Sequence, residues 1–477
     1  MKYVIGIDGG TQSTKVSIFD LEGRVICEDK TSLMPLYSPD ADTAEHPDDD
    51  LWTSLKVTAK KVMSAFKGEP KDIIGIGLGS IRCCRTYLKE DGTLAYPVIN
   101  WMDKRLAKPY PGNIPDFKYL STTTGYLGVR LTGNFLDTAA NYEGVYGPFS
   151  KETWKWSDDP KDYEPYNIKR ENLFDLVMPG EQLGTITGKA AEETGFPEGC
   201  PVIATANDKA VEGLGAGIID DTTCLVSLGT YIGGMIYGHE FNDNATHYWS
   251  NLSAIPHKYL YEGMTGIRRG MWSVSWFKEV MGEPWQELAM ENSTSLEQLL
   301  ENEAREVPAG SDGLITVPEF LSPNNMPYRK ALMIGFDGRH KRAHMYRSLL
   351  EAITLTMHIS MSDMFDEMGY KPRRLIVSGG GSKSPLFMKI FADAFGMPSV
   401  RNEVNDAAGI GAAICAAVGT GAYPTYQEAV KRMVRLEDEF QPDSANTKVY
   451  ADIEKNIYRT IKDYSDPVNK EIYKLFK

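Results

Sequence analysis

The stretch VIGIDGGTQSTKVSIFD, Val4 to Asp20, places an aspartate and a glycine-rich turn between two segments that are rich in β-branched residues. Such segments favour β-strands, and Gly9, Gly10 and Thr11 favour the tight turn that joins them. A third segment of the same kind, RVICEDK, follows after the turn LEGR. The chain is therefore predicted to open with three strands, and Asp8 is predicted to end the first of them.

The elements that follow are typical of an α/β protein. In DDDLWTSLKVTAKKVMSAF, helical spacing places four side chains on one face, and aspartates occupy the first turn. The four side chains are Leu51, Leu55, Thr58 and Val62. The next segment, IIGIGLG, is typical of a buried strand. Because strands alternate with helices, we predict an α/β sheet.

The opening pattern recurs later in the chain. CPVIATANDKAVEGLGAG predicts a strand, a turn and a short helix, and CLVSLGTYIGGMIYG then predicts another strand, turn and strand. Gly10-Thr11 and Gly229-Thr230 lie just under half the chain apart. We therefore predict a duplicated fold of two domains, residues 1–240 and 241–477, with a central cleft. A chance recurrence of the dipeptide is the alternative that these residues leave open.

The composition limits the classes of function. The chain has 477 residues, of which 42% are hydrophobic, and a net charge of −14. Because clustered Lys and Arg bind a nucleic-acid backbone, this charge argues against a nucleic-acid partner. The start MKYVIGID offers no signal-peptide core, and the uncharged stretch 407–427 suits a packed helix and loop better than a membrane span. The six cysteines show no zinc spacing, so we expect a reduced, cytoplasmic protein without membrane association.

Three glycine turns, DGGTQSTK, SLGTYIGG and SGGGSKS, follow predicted strands. Glycine lets backbone amides approach phosphate oxygens closely, although each turn alone is as well explained by tight packing. The chain has no Walker pattern GxxxxGK[ST] and no GxGxxG after its first strand. Opposed hairpin turns that hold phosphates are instead typical of actin-like ATPases. Asp8 is placed beside the first turn, where its carboxylate can hold Mg²⁺; a capping aspartate is the alternative.

Longer blocks resemble the FGGY carbohydrate kinase family, which phosphorylates sugars and polyols. They include IGIDGGTQSTK, NWMDKR, YLGVRLTG, SLGT, YRSLLEAI and LIVSGGGSKSPLFMKIFADAFGMP. The most specific block runs from MPGEQLGTITGK to Gly217. The resemblance, to xylulose-kinase-like and glycerol-kinase-like members, implies an α/β, actin-like ATPase (ribonuclease H-like) duplicated fold that uses ATP and Mg²⁺.

The resemblance also implies that Asp208, in ANDKA, is the catalytic base. The residues agree with this role, because Asp208 follows a predicted buried strand and precedes a helix whose N-terminus can stabilise a carboxylate. General-base assistance is worth ~10²–10⁴ in rate. A capping role is the alternative. Asn207, its neighbour, is expected to contact the substrate.

The sugar or polyol that accepts the phosphoryl group is expected to lie over two other segments. GSIRCCR places Arg82 at the carboxyl end of a strand, where α/β sheets bind ligands. NWMDKR supplies Trp101, which could cover an apolar sugar face, and Asp103, which could accept two hydroxyls. The alternatives are that Arg82 is a surface residue and that Asp103 is the partner of Arg105.

The residues expected to bind the nucleotide come from all three turns and one helix. They are Gly10, Thr11, Gln12, Ser13, Lys15, Gly229, Thr230, Gly270, Gly380, Gly381 and Ser384.

The chain departs from the family pattern at three places. The connector after Arg105 is short, Lys389 stands where Gln is usual, and Asp406 stands where Glu is usual. The first departure puts substrate specificity in doubt, and the other two could alter nucleotide contacts.

We therefore expect a kinase for a ketopentose such as xylulose, or for a linear sugar alcohol. Glycerol is less favoured, because Cys83 replaces the acidic residue usual after Arg82. A catalytically silent sugar sensor and an actin-like or chaperone-type ATPase are the rival classes. The expected partner is a small molecule, and a homodimer is the oligomeric state to test.

Overall fold

The computed structural model describes residues 1–40, 42–142, 146–323 and 325–476. The strands are β1 Tyr3–Gly9, β2 Ser13–Asp20, β3 Val25–Ser32, β4 Glu45–His46, β5 Ile73–Ser80, β6 Arg85–Leu88, β7 Leu94–Ile99, β8 Tyr119–Ser121, β9 Leu136–Thr138, β10 Phe149–Ser150, β11 Lys155–Trp156, β12 Asp175–Val177, β13 Gln182–Thr185, β14 Pro201–Asn207, β15 Thr223–Leu228, β16 Ile232–Gly238, β17 Tyr248–Leu252, β18 Tyr259–Gly263, β19 Ile315–Val317, β20 Leu332–Ile334, β21 Arg374–Gly379, β22 Ser399–Asn402 and β23 Leu436–Phe440.

The α-helices are α1 Asp50–Ala65, α2 Thr123–Thr132, α3 Gly188–Thr194, α4 Asp208–Ala216, α5 Gly270–Met281, α6 Glu283–Glu291, α7 Leu296–Arg305, α8 Arg342–Met368, α9 Pro385–Phe395, α10 Ala407–Gly419, α11 Tyr426–Met433, α12 Ser444–Ile453 and α13 Ile461–Leu475. Short 3₁₀ helices span Pro70–Asp72, Lys104–Ala107, Ala139–Asn141, Pro160–Tyr166, Arg170–Asn172, Ser311–Gly313 and Gly380–Lys383, and a π-helical turn spans Glu454–Tyr458.

Two sheets repeat one topology. The first has the order β13-β14-β5-β1-β2-β3, and the second has the order β17-β18-β16-β15-β21-β22-β23. In each sheet the central strand, β1 or β15, pairs antiparallel with the next strand in sequence and parallel with β5 or β21. The predicted duplicated α/β fold is confirmed.

The first elements form where the sequence pattern predicts them. Hydrophobic side chains of β1 and β2 are buried, and the predicted apolar face of α1 is buried, with Leu55 and Val62 almost fully enclosed. Sheet membership changes between Asn207 and Thr223. The division into domains at residue 240 stays a prediction.

Helices α4 and α10 pack against each other where the two halves meet. A Cβ added at Gly215 would lie 1.8 Å from the carbonyl oxygen of Ala407, and one at Gly411 would lie 1.9 Å from that of Val211. Only glycine permits this approach of the two backbones. Because α4 follows β14 and α10 follows β22, the contact joins equivalent elements of the duplicated fold.

The topology brings several chain segments to one cleft. The parallel strands β1, β5 and β14 end at Gly9, Ser80 and Asn207, and parallel strands end at the same edge of a sheet. Within the described ranges, no helix is both long and apolar enough to cross a bilayer.

Candidate active site

The first hairpin turn is closed by its own backbone. The amide of Gly10 donates to the carbonyl of Ser13 (3.0 Å), and the amide of Leu33 donates to the carbonyl of Gln12 (2.9 Å). The indole Nε1 of Trp101 lies 3.3 Å from Oγ1 of Thr11. This contact places half-exposed Trp101 beside the turn that is expected to hold phosphate.

Asp8 lies next to the end of β1, in an acidic environment. Burial, with the negative charges of Asp406, Asp208 and Glu212, raises its pKa to about 8. A carboxylate under this repulsion gains from a nearby cation, and Mg²⁺ is usually bound by one or two carboxylates together with phosphate oxygens. Among the described residues, no three acidic, His or Cys groups form a metal cluster. A metal at Asp8 would therefore also need phosphate or water ligands.

The ammonium group of Lys15 is paired with two carboxylates. Its Nζ lies 2.8 Å from Glu28 and 3.1 Å from Asp406. Burial would lower its pKa, but these two carboxylates raise it. Its contact with phosphate stays a prediction, as does that of half-buried Ser13.

Asp208 occupies the first turn of α4, and its neighbour Asn207 caps the helix. Oδ1 of Asn207 accepts the amide of Ala210 (2.9 Å), which satisfies a helix N-terminal donor. The Nδ2 of Asn207 is buried and has no hydrogen-bond partner among the described residues. Asn207, and not Asp208, therefore caps this helix. The carboxylate of Asp208 instead accepts a hydrogen bond from the backbone amide of Arg82 (3.3 Å).

Two cations flank Asp208. Burial raises the pKa of its carboxyl, against the lowering influence of Lys209 and Arg82. The Nζ of Lys209 lies 2.7 Å from Glu212. Strongly perturbed pKa values are common at functional sites, and the role of Asp208 as catalytic base stays a prediction.

Glu212 connects α4 to the second half. Its Oε1 accepts the hydroxyl of Ser378 (3.0 Å), and it also bonds with Ser227. Burial would raise its pKa, but Lys209 and these hydroxyls lower it. The two serines lie next to the ends of β21 and β15. Sequence reasoning missed Lys209 and Glu212, although their spacing of three residues on a predicted helix was a signal for an ion pair.

Arg82 reaches across the cleft. Its Nη2 lies 2.6 Å from Oε2 of Glu262, and its Nη1 lies 3.4 Å from Oδ1 of Asn251. Both partners belong to strands of the second sheet. Arg82 is therefore not a surface residue pointing at solvent, and Glu262 was missed because no local pattern marks it.

Asp103 is enclosed rather than presented to the cleft. Its Oδ1 accepts from the amide and Nε of Arg105, and its Oδ2 accepts from the amide of Ala44 and Nη2 of Arg105. The geometry matches the alternative of an Arg105 partner. Direct binding of sugar hydroxyls by Asp103 stays a prediction that these contacts do not favour.

The second hairpin turn is held by the start of α5. The amide of Gly270 donates to the carbonyl of Thr230 (2.8 Å), and that of Met271 donates to the carbonyl of Gly229 (3.1 Å). Gly381 packs against Met271 and Leu228, so the two glycine turns of this half adjoin. Gly380 is exposed, and Ser384 caps α9.

Of the departures, Asp406 adjoins these groups through Lys15 and Asp8, whereas Lys389 lies away from them. Lys389 pairs with Asp393 and reaches the carbonyl of Gln441 on the far side of α9. Asp406 caps α10 and accepts the hydroxyl of Ser17 (2.8 Å). The connector after Arg105 packs Phe117 against Tyr87. A surface groove of about 1430 Å³ along residues 154–178 includes none of the predicted site residues.

Comparison with known proteins gives a consistent result. Models of the N-terminal and C-terminal domains of the FGGY family of carbohydrate kinases match residues 3–111 and 226–420. The sugar kinase YgcE of Escherichia coli (strain K12) is 48% identical over 99% of this chain and 96% of its own. A xylulose kinase of Bacillus subtilis (strain 168) is 26% identical over 97% of this chain and 98% of its own. The crystal structure of xylulose kinase from Rhodospirillum rubrum superposes with a TM-score of 0.82 at 23% identity, covering 98% of this chain and 100% of that one.

Proposed function

Because the chain belongs to the FGGY family of carbohydrate kinases, with the actin-like ATPase fold and ATP as phosphate donor, we propose that Asp208 activates a hydroxyl of a small sugar or polyol for phosphorylation. One observation carries the proposal. The helix that begins with Asp208 is joined through Glu212 to serines beneath both glycine turns of the second half. The base is thereby linked to the turns that are expected to hold the nucleotide.

For ATP, the proposal places the phosphates between Thr11 and Thr230, with the base or ribose near Gly380 and Ser384. Asp8 would hold Mg²⁺, and the acidic neighbours that, together with burial, raise its pKa support this assignment. The bound metal would neutralise phosphate charge. Thr11, Thr230 and the turn amides would orient the nucleotide, because phosphoryl transfer depends mainly on positioning and electrostatic stabilisation.

For the acceptor, we place the sugar over Arg82 and Trp101. The buried Nδ2 of Asn207 offers a donor that no described residue uses, and an unmade buried hydrogen bond costs about 1–3 kcal/mol. An acceptor hydroxyl would satisfy it. Asp103 would act through Arg105 by fixing the segment that carries Trp101. A ketopentose such as xylulose, or a linear sugar alcohol, fits these groups, and xylulose kinases stand among the relatives.

The proposed reaction uses one proton transfer. The acceptor hydroxyl attacks the γ-phosphorus in line with the departing ADP oxygen, and Asp208 takes the hydroxyl proton as the new O–P bond forms. Approach of the two halves excludes water that would compete as acceptor. Burial raises the pKa of Asp208, and Lys209 and Arg82 oppose this rise, which favours the deprotonated carboxylate that the step requires.

The direct test is ATP consumption by the purified protein with pentuloses, hexuloses, pentitols, tetritols and glycerol, each against a control without acceptor. Turnover that depends on one acceptor, with a phosphorylated product seen by mass spectrometry, supports the proposal. ATP binding without stimulation by any acceptor would instead favour the silent sensor.

We also propose that the protein works in the cytoplasm as a homodimer. Helix α13 exposes an apolar stripe of Tyr464, Val468, Ile472 and Leu475. A stable interface buries roughly 1,000 Å² or more, and two antiparallel copies of this stripe would form its apolar centre. Sedimentation velocity tests this: Val468→Glu should shift the protein to monomer, whereas a wild-type monomer contradicts the proposal.

A further inference from the structure

A charged pair spans the cleft at the acceptor side. Arg82 follows β5 of the first sheet, and Glu262 lies in β18 of the second sheet. Their Nη2 and Oε2 atoms are 2.6 Å apart. The side chain of Glu262 is only 3% exposed, whereas that of Arg82 is 24% exposed. Arg82 therefore has one face toward a buried carboxylate and another toward the cleft.

Glu262 lies within a paired strand, whereas Arg82 lies between strands. Glu262 pairs with Met235 on one side and with Trp249 on the other, so its backbone is fixed within the sheet. Asn251, on the adjacent strand β17, lies 3.4 Å from the same carboxylate and 3.4 Å from Nη1 of Arg82. Arg82 instead lies outside regular structure, next to Cys83, whose φ of 56° is in the left-handed region. The carboxylate is thus the fixed member, and the guanidinium is the member that it orients.

The same short segment also touches the base. The backbone amide of Arg82 donates to Oδ1 of Asp208 (3.3 Å). A change in how the guanidinium is held would therefore move a hydrogen-bond donor of Asp208 as well. Charge-assisted hydrogen bonds are roughly twice as strong as neutral ones, so the Glu262 contact is strong enough to set the position of this segment.

We propose that Glu262 is a positioning residue for acceptor recognition: it holds the Arg82 guanidinium beside Asp208 from the opposite half of the molecule. The proposal rests on the proposed function, in which Arg82 contacts the acceptor. Acceptor affinity then depends on a residue of the second half, although the acceptor groups themselves belong to the first. The contacts of this pair run to Asn251 and Asp208, so we expect ATP affinity to depend on the pair much less than acceptor affinity does.

The experiment compares Glu262→Gln with wild type in steady-state kinetics, with the acceptor and ATP varied separately. Gln keeps the shape and an acceptor oxygen but removes the charge. We expect the KM for the acceptor to rise by about tenfold or more, and the KM for ATP to stay within about twofold. The matched control is Asp466→Asn, which removes the charge from another partly buried guanidinium pair, with Arg329, outside the cleft. It should leave both KM values unchanged.

A double-mutant cycle separates positioning from a general loss of structure. In an Arg82→Gln background, Glu262→Gln should raise the acceptor KM by less than about twofold, because the group that it positions is gone. Additive effects, or equal increases in the KM for the acceptor and for ATP, would overturn the proposal. If Glu262→Gln does not fold, Asn251→Ala takes its place: it should raise the acceptor KM by a smaller factor, and an unchanged value overturns the proposal.

The outcomes also separate this inference from the proposed function. If wild type phosphorylates an acceptor and Glu262→Gln keeps the same acceptor KM, only the positioning role fails. If wild type phosphorylates none of the acceptors while binding ATP, the proposed function fails and this inference fails with it.

Discussion

The two halves of the molecule share a backbone plan but use its equivalent positions differently. The first hairpin turn is preceded by Asp8, and the corresponding position before the second turn is Ser227. Asn207 caps α4, which leaves Asp208 available in the first turn, whereas Asp406 itself caps α10. In the proposed mechanism, the carboxylates that take part in the chemistry therefore lie in the first half, whereas Asp406 at the equivalent place in the second half is a helix cap. Duplication fixes where strands and turns end, and the side chains placed there decide the role.

Removal of the proposed base tests this division most severely. Asp208→Asn should lower kcat at least about a hundredfold, because proton removal from the acceptor loses its general base. ATP binding, measured by calorimetry, and the melting temperature should stay near wild type, since burial already opposes the charged form of Asp208. Retained turnover would remove Asp208 from the mechanism.

The contact between the equivalent helices offers the next largest effect. Gly411→Ala should destabilise the protein by about 3 kcal/mol, because the new Cβ would lie 1.9 Å from a backbone oxygen of α4. Urea unfolding measures this. Gly338→Ala is the control, because no atom lies within 4 Å of a Cβ added there, and it should change stability by less than about 0.5 kcal/mol. Equal effects of the two substitutions would show that α4 and α10 do not pack closely.

Much of the fold was predictable because its signals are local. Strand β1, the glycine turn and β2 form from adjacent residues, and the Gly-Thr dipeptides mark both hairpins. The α4–α10 contact was not predictable, since it depends on glycines about two hundred residues apart that meet only after both sheets form.

In the candidate site, too, features marked by local sequence were predictable and contacts between distant residues were not. The places of Asp8, Asp208 and the turns in the fold were predictable from motifs and from the strands beside them, and their roles stay predictions. Glu262 gave no local signal, because its proposed role depends on Arg82, which follows a strand of the other sheet. For Asp103, the sequence already suggested Arg105 as the partner, and the contacts match that alternative, while binding of sugar hydroxyls by Asp103 stays a prediction.

The capping aspartate of the second half should behave in the opposite way to Asp208. Asp406→Asn keeps a capping side chain but loses the charge that faces Lys15 at 3.1 Å. We expect a loss of about 1–3 kcal/mol in the free energy of unfolding, because the pair is largely buried, and a smaller change in kcat than Asp208→Asn gives. Glu297→Gln, which breaks an exposed pair with Lys278, should cost at most about 1 kcal/mol. If Asp406→Asn lowered kcat as strongly as Asp208→Asn, the division between the halves would be wrong.

The smallest expected effect is a shift in pH dependence. Lys209 lowers the pKa of Asp208, and the first turn of α10 carries no such cation. Because Asp208 acts only when deprotonated, the acid limb of kcat/KM should move to higher pH in Lys209→Gln and should stay near wild type in Lys209→Arg.

Glu212 limits the size of this shift. Without Lys209 its buried carboxylate loses its cation, so its own pKa rises and its repulsion of the Asp208 charge weakens. The shift is therefore upward but partly offset, and Lys278→Gln, at a surface pair, should leave the limb in place. A limb that stays unchanged both in Lys209→Gln and in Glu212→Gln would mean that the titrating group is not Asp208, because these two substitutions cannot both be offset. A limb displaced to lower pH would mean that the pKa of Asp208 falls when Lys209 is replaced. Neutralisation of Glu212 would then affect that pKa more than loss of the Lys209 charge does, and Glu212 would be the residue of α4 that mainly sets it.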